Sequence, residues 1–163
     1  MTTRPATPAD HARLLSLHRA VAEDPNGIAR MPDEITLLAI SPPNGLQLVV
    51  ESETGELISE IHGSKYGLRI FEHILGNLTI VVHSDWQGKG VGKALFTRFL
   101  GEVRHRFPEV RRIELEARAT NEASLGLYRR LGFVQEGVYR DKTRNRDGSF
   151  VNSIPMAYIQ FEP

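Results

Sequence analysis

Apolar positions change their spacing several times along the chain, and each change marks an element. Leu14, Leu17, His18 and Val21 recur at helical spacing behind Thr7-Pro8-Ala9-Asp10, which places Thr at a helix cap, Pro in the first turn and an acid three residues after the cap. The helix fades at Glu23-Asp24-Pro25-Asn26-Gly27, a cluster of turn formers, and a second, shorter helix is predicted from Pro32. Residues 46–51 and 57–62 read as strands flanking Glu53-Thr54-Gly55-Glu56, the pattern of a hairpin. Two more strands, 68–75 and 78–83, are expected around Gly76-Asn77. From Gly90 the period moves from two to 3.6, because Val91, Leu95, Phe99 and Val103 share a stripe that Phe96 and Leu100 widen. Residues 112–117 alternate as a strand, 121–131 are helical with Gly132 as a left-handed stop, and 133–138 are extended. A last hairpin turns at Asp147-Gly148 and closes with a strand over 150–161. This order predicts an α/β fold, a mixed sheet with helices on both faces.

Composition narrows the chemistry. A length of 163 residues fits one domain spanning 1–163, and 40% hydrophobic with 25% charged residues excludes disordered, coiled-coil and collagen-like chains. Twenty basic and twenty acidic side chains cancel, so there is no basic excess to hold nucleic acid or an anionic membrane, and an anionic ligand must be gripped locally. The absence of cysteine removes disulfides, thiolate metal sites and thiol nucleophiles. Apolar runs are too short to span a bilayer and MTTRPATPADHARLL has no signal-peptide core, so the expected compartment is the cytoplasm. The histidines at 11, 18, 62, 73, 83 and 105 show no metal-ligand spacing; His11 and His18 read as helix-face residues, and no metal is expected.

The most informative stretch is LTIVVHSDWQGKGVGKALFTRFL, residues 78–100, where a strand passes through a short loop into a helix. Glycines at 88, 90 and 92 leave backbone N–H groups uncovered at a helix start, which suits a phosphate or pyrophosphate, with Lys89 and Lys93 adding charge. A phosphate-binding P-loop would need glycine where Gln87 stands and Ser or Thr where Ala94 stands. A dinucleotide fingerprint would need glycine at Lys93 and a βαβ unit upstream. What remains is Gln-x-x-Gly-x-Gly at 87, 90 and 92, which resembles the acetyl-CoA pyrophosphate loop of the GNAT superfamily of N-acetyltransferases. A second stretch, LEARATNEASLGLYRRLGF at 115–133, is similar to the other GNAT signature, with Asn121 and Tyr128 two turns apart on one helix face. The resemblance extends over essentially the whole chain and implies a single, mostly antiparallel, twisted GNAT sheet. Glu136-Gly137-Val138-Tyr139-Arg140, Asp147-Gly148 and Met156 look most like the branch acting on ribosomal-protein N-termini, polyamines and amino-bearing antibiotics. Two departures from the family pattern are Ser84, where Pro is frequent, and Asn152, where an acid is frequent.

The resemblance implies a role for each residue. Acetyl-CoA is the expected co-substrate and an amine the acceptor, with direct attack in a ternary complex. The backbone of Ile80, Val81 and Val82 would pair with the pantetheine arm, the Val82 N–H facing the thioester oxygen. Gln87, Gly88, Lys89, Gly90, Val91, Gly92 and Lys93 would hold the pyrophosphate, and Asn121 the far part of the arm. Tyr128 would protonate the departing thiolate; without the resemblance it is a core tyrosine at a helix end. Glu116, twelve residues before Tyr128, is the candidate base, acting directly or through water, with a solvated or salt-bridged strand glutamate as the alternative reading and Glu72 and His73 in reserve. Arg104-His105-Arg106 and Arg111-Arg112 read as a solvated edge, with the CoA 3′-phosphate as an alternative, and Trp86 as a packing residue. Residues 23–35 would border the acceptor. A homodimer is the family expectation, and a silent acyl-CoA-binding module is the competing functional class.

Overall fold

The structure is a computed structural model that describes residues 1–23 and 44–160. The helix expected from Pro32 and most of the expected acceptor border therefore lie outside the described residues. In chain order the elements are β1 (Thr2–Pro5), α1 (His11–Ala22), β2 (Gly45–Glu51), β3 (Leu57–Lys65), β4 (Ile74–Val82), α2 (Val91–Arg106), β5 (Arg112–Arg118), α3 (Glu122–Arg130), β6 (Val134–Gln135), β7 (Tyr139–Arg144) and β8 (Phe150–Ile159). The strands form one sheet in the order β1-β2-β3-β4-β5-β8-β6, with β7 sharing the outer edge of β8. Among the described residues every pairing is antiparallel except β4 with β5.

Helices cover both faces, as the order of elements predicts. On one face Leu46, Leu48, Ile61 and Leu75 meet the α2 stripe of Val91, Leu95, Phe96, Phe99 and Val103, with Leu125 and Tyr128 from α3. Phe96 anchors this layer, its ring 5.5 to 6.3 Å from those of Phe99, Tyr128 and Phe133. On the other face Leu14, Leu17 and Val21 of α1 pack on Val49, Leu57 and Val81.

Four local features differ from the sequence expectation. β1 has no apolar alternation to announce it; it is tied to the sheet by Arg4, whose guanidinium donates to Asp10 at 2.7 and 2.9 Å and to Glu51 at 2.7 Å. The two strands expected around Gly76-Asn77 are one strand, β4, in which Asn77 takes φ 49° and the ladder to β3 slips by a residue. Residues 69–71 form a 3-10 turn instead of a strand, and Leu68 and Ile70 point outward at 60% and 73% exposure, so their alternation faces no core. The strand expected over 133–138 is reduced to Val134–Gln135.

Candidate active site

The cleft arises from incomplete pairing of two strands. β4 and β5 are hydrogen-bonded neighbours only at Ile74/Arg112 and Leu75/Ile113, after which they diverge and leave β4 with an open edge. His83 N–H donates to Ile58 across the β3 ladder, and backbone groups alternate along a strand. Ile80 and Val82 therefore turn their N–H and C=O groups to the open edge, while Val81 turns to β3, where its carbonyl accepts from Ser59 Oγ at 2.7 Å. The gap opens into a cleft of about 1390 Å³ that reaches from α1 to α3.

The glycine loop closes one end. Gly88 and Gly90 adopt φ 70° and 82°, left-handed values that glycine takes without strain, and Gly90 is the cap of α2. The first helical bond runs from Ala94 N–H to Gly90 O, so the N–H groups of Val91, Gly92 and Lys93 have no intrahelical acceptor. With the helix dipole they make an anion site that needs no basic patch. Gln87 Nε2 donates to Val82 O at 3.1 Å, linking the loop to the open edge of β4. Lys89 Nζ lies 5.4 Å from the centre of the Trp86 ring, and Trp86 packs against the core.

Across the gap stands α3. Asn121 caps it, its side-chain oxygen accepting from Ser124 N–H at 3.0 Å, and lines the cleft. Tyr128 also lines the cleft, yet is only 7% exposed, and this burial pushes its hydroxyl up to about 12. Its phenol stays protonated at neutral pH.

A splayed β4/β5 pair, an open strand edge and a glycine-capped α2 thus occur together. Residues 12–133 match the sequence profile described as the acetyltransferase (GNAT) family. The chain belongs to the GNAT family. It is 32% identical over 81 residues to the [ribosomal protein bS18]-alanine N-acetyltransferase of Escherichia coli K12, an alignment covering 48% of this chain and 53% of that enzyme. The chain thus spans about half the length of this curated relative. The crystal structure of a ribosomal-protein-alanine N-acetyltransferase from Brucella melitensis superposes with a TM-score of 0.82 at 24% identity, covering 98% of this chain and 100% of the other. The yncA acetyltransferase of Salmonella typhimurium, solved with its cofactor acetyl-CoA, gives a TM-score of 0.82 at 20% identity, with 100% and 95% covered. These two likenesses establish the GNAT fold.

Around the cleft the structure separates the candidates that the sequence offered for the acceptor side. Glu116 reaches the cleft, but its Oε1 accepts from Lys142 Nζ of β7 at 2.7 Å. Glu72 and His73 lie beside the closed end of β4 and do not line the cleft. Arg112 is held by Glu114 and Glu136, and Arg106 by Glu102. Arg104 to Arg106 end α2 some 20 Å from the glycine loop at 1.5 Å per residue, which agrees with a solvated edge. Tyr66 Oη donates to Glu114 at 2.8 Å on the cleft wall; burial, then this bond, push it up to about 12.

Sequence reasoning missed a buried polar group in this same cleft. Glu60 on β3 is fully buried, and its carboxylate receives His18 Nε2 at 2.9 Å, His62 Nδ1 at 2.8 Å and Gln47 Nε2 at 3.0 Å. Burial alone would raise Glu60, but the hydrogen bonds from His18 and His62 outweigh it and hold the carboxyl below its usual value. His18 is therefore more than a helix-face residue. The only sequence trace was Glu60 and His62 two apart in a strand, which puts them on one face.

Proposed function

We propose that this protein transfers the acetyl group of acetyl-CoA to a primary amine, a small molecule or a protein N-terminus, by direct attack in a ternary complex. The observation that carries the reading is the open β4 edge leading straight into the glycine-capped start of α2. A pantetheine arm offers amide groups that pair with Ile80 and Val82 as an added strand would. The pyrophosphate then meets the N–H groups of Val91, Gly92 and Lys93, with Gln87, Gly88, Lys89 and Gly90 shaping the loop. Running from the pyrophosphate back along β4, the arm meets Val82 first, so Ile80 N–H, farther along the same open edge, is the donor for the thioester oxygen in place of the Val82 N–H expected from sequence. The side chain of Val81 packs under α1, so its part in the site is to hold the strand. Asn121 serves through its cap, which fixes α3 and hence Tyr128.

Attack by a neutral amine forms the C–N bond, and collapse breaks the C–S bond and releases thiolate. A thiol titrates near 8.5, so full proton transfer from a hydroxyl at about 12 is uphill by roughly 3 to 4 units. Tyr128 accordingly works as a hydrogen-bond donor to the departing sulfur, while the nitrogen of the tetrahedral adduct supplies the proton. Glu116, engaged by Lys142, contributes negative charge that draws the acceptor ammonium into the cleft.

The naming of the bS18-alanine enzyme and of the Brucella melitensis protein favours a peptide N-terminus among acceptors. The test is CoA-thiol release over a panel of N-terminal peptides, amino acids, polyamines and aminoglycosides, beside a melting curve with acetyl-CoA. Binding to the folded state at a hundred times the dissociation constant adds about 2.7 kcal/mol. A melting shift without thiol release from any amine would instead establish a silent binding module.

A further inference from the structure

The acceptor amine arrives as an ammonium and must lose a proton, and Glu116 is already paired. His18, Gln47 and His62 line the cleft on the α1 side, with the buried Glu60 carboxylate behind them. His62 is its exposed member, with a side chain 27% accessible, while those of His18 and Glu60 are 3% and 0% accessible. Its Nδ1 lies against Glu60, which fixes the tautomer with hydrogen on Nδ1 and leaves Nε2 as a lone-pair acceptor for the cleft. β3 carries His62 opposite Thr79 of β4, one residue from Ile80 on the open edge. We propose that His62, oriented by the buried carboxylate of Glu60, is the general base that deprotonates the acceptor ammonium. This rests on the acetyltransferase reading above.

The step balances. The ammonium N–H bond breaks, its proton goes to His62 Nε2, and the electron pair left on nitrogen attacks the thioester carbonyl. The imidazolium that forms stands beside Glu60, so a buried anion gains a counter-charge in the same step. His18 stacks on His62 with ring centres 6.3 Å apart at 23°, and its bond to the other Glu60 oxygen keeps the carboxylate from turning away. Ligand atoms of His18, Glu60 and His62 lie within 4.8 Å of one another. Both Glu60 oxygens nevertheless already accept N–H donors, one of them from an amide, as in a hydrogen-bonded relay. Among the described residues, the titratable and charged groups lining the cleft with His62 are His18 of α1, Tyr66, Lys93 of α2, Arg112, Glu114, Glu116 and Arg118 of β5, Glu122, Tyr128 and Arg130 of α3, Glu136, and Tyr139 of β7, with Glu60 of β3 behind the wall; Gln47 and Thr79 are neutral.

The test uses the full chain and the acceptor it turns over fastest. His62→Gln should lower kcat/KM by about 100- to 10,000-fold, the usual share of a general base, and remove the acid limb of its pH profile while acetyl-CoA affinity stays at the parental value. His62→Ala should recover activity with added imidazole, which a structural defect would not. Glu60→Gln, checked for folding by its melting curve, should weaken turnover less and leave the imidazole rescue of His62→Ala intact. A His62→Gln enzyme within a few-fold of the parent and with the parental pH profile overturns the assignment, and so does a His62→Ala enzyme deaf to imidazole. Loss of the acid limb in Glu116→Gln and its retention in His62→Gln would return the base to β5. Failure of the parent to release CoA thiol with every amine sinks the acetyltransferase reading and this inference with it.

Discussion

Replacing Gly90 separates the folding role of the α2 cap from its binding role. The residue sits at φ 82° and ψ −4°, a left-handed conformation that costs an ordinary L-residue about 1–2 kcal/mol. A Cβ placed there meets nothing within 4 Å, so a substitution at Gly90 suffers no collision at Cβ in the free protein. Its folding cost is backbone strain, which for a chain of this size lowers Tm by roughly 2–8 °C. The binding cost has a different origin. Moving φ out of the left-handed region re-aims the N–H groups that follow, and each hydrogen bond to a charged group contributes about 1.5–3 kcal/mol. Losing one of them raises the dissociation constant roughly 10- to 100-fold, at 1.4 kcal/mol per decade. The added side chain also takes up space in front of the proposed pyrophosphate site. Calorimetric titration with acetyl-CoA, well below Tm, on the parent, Gly90→Ala and Gly90→Val measures this directly, and the Ala variant should fall between the other two. A Gly90→Val protein that melts in the stated range yet binds acetyl-CoA as tightly as the parent refutes the assignment of the loop.

Tyr128→Phe keeps the ring against Phe96 and Phe133 and removes only the hydroxyl, so kcat should fall by the value of one hydrogen bond to a forming thiolate, roughly 10- to 100-fold, with acetyl-CoA affinity unchanged. Steady-state turnover at saturating acceptor checks it, and parental turnover would return Tyr128 to packing alone. Asp10, whose side chain is 1% exposed, is held well below the usual carboxylate range, first by the Arg4 hydrogen bond. A depressed folded-state value means that its stabilisation is complete above the unfolded value near 3.9 and is lost as pH falls toward the folded one. Arg4→Met should therefore cost about 1.5–3 kcal/mol at pH 7, a gap that narrows at pH 3; urea unfolding showing a constant gap would count against it.

The glycine-capped loop proposed to hold the cofactor was readable because its constraints are local. A glycine at the cap of α2 shows in sequence as glycine ahead of the Val91, Leu95, Phe99 stripe, and Gly132 shows in the same way as the stop of α3 at φ 94°. Apolar spacing likewise located α1, α2, α3, β2, β3 and β5, because each buries a continuous face. It failed at Leu68 and Ile70, whose alternation is turned to solvent, and at β1, where ion pairs from Arg4 replace apolar contacts. The divergence of β4 from β5 was illegible, since it depends on where a parallel ladder stops and nothing in residues 76–82 records that.

The candidate acid and base groups were the least legible part, and the reason is pairing across long sequence separations. Glu116 stands at a suggestive distance from Tyr128, but its charge is answered by Lys142, 26 residues on, which β7 brings to it. His62 lacks any motif, and yet Glu60 beside it is buried with His18 from 42 residues earlier. A carboxylate on a core-facing strand position is costly to bury unless it is paired, so Glu60 implies partners before they can be named. The sheet register supplies them: β2 sets Gln47 opposite His62, β3 sets Glu60 two residues before it, and α1 lays His18 over the pair. Glu60 sits on the buried side of this set, and His62, its exposed member, lines the cleft. That polarity, a fixed anion behind an exposed imidazole, is what a proton acceptor for an incoming ammonium requires, and the isolated surface pair at Glu116 lacks it.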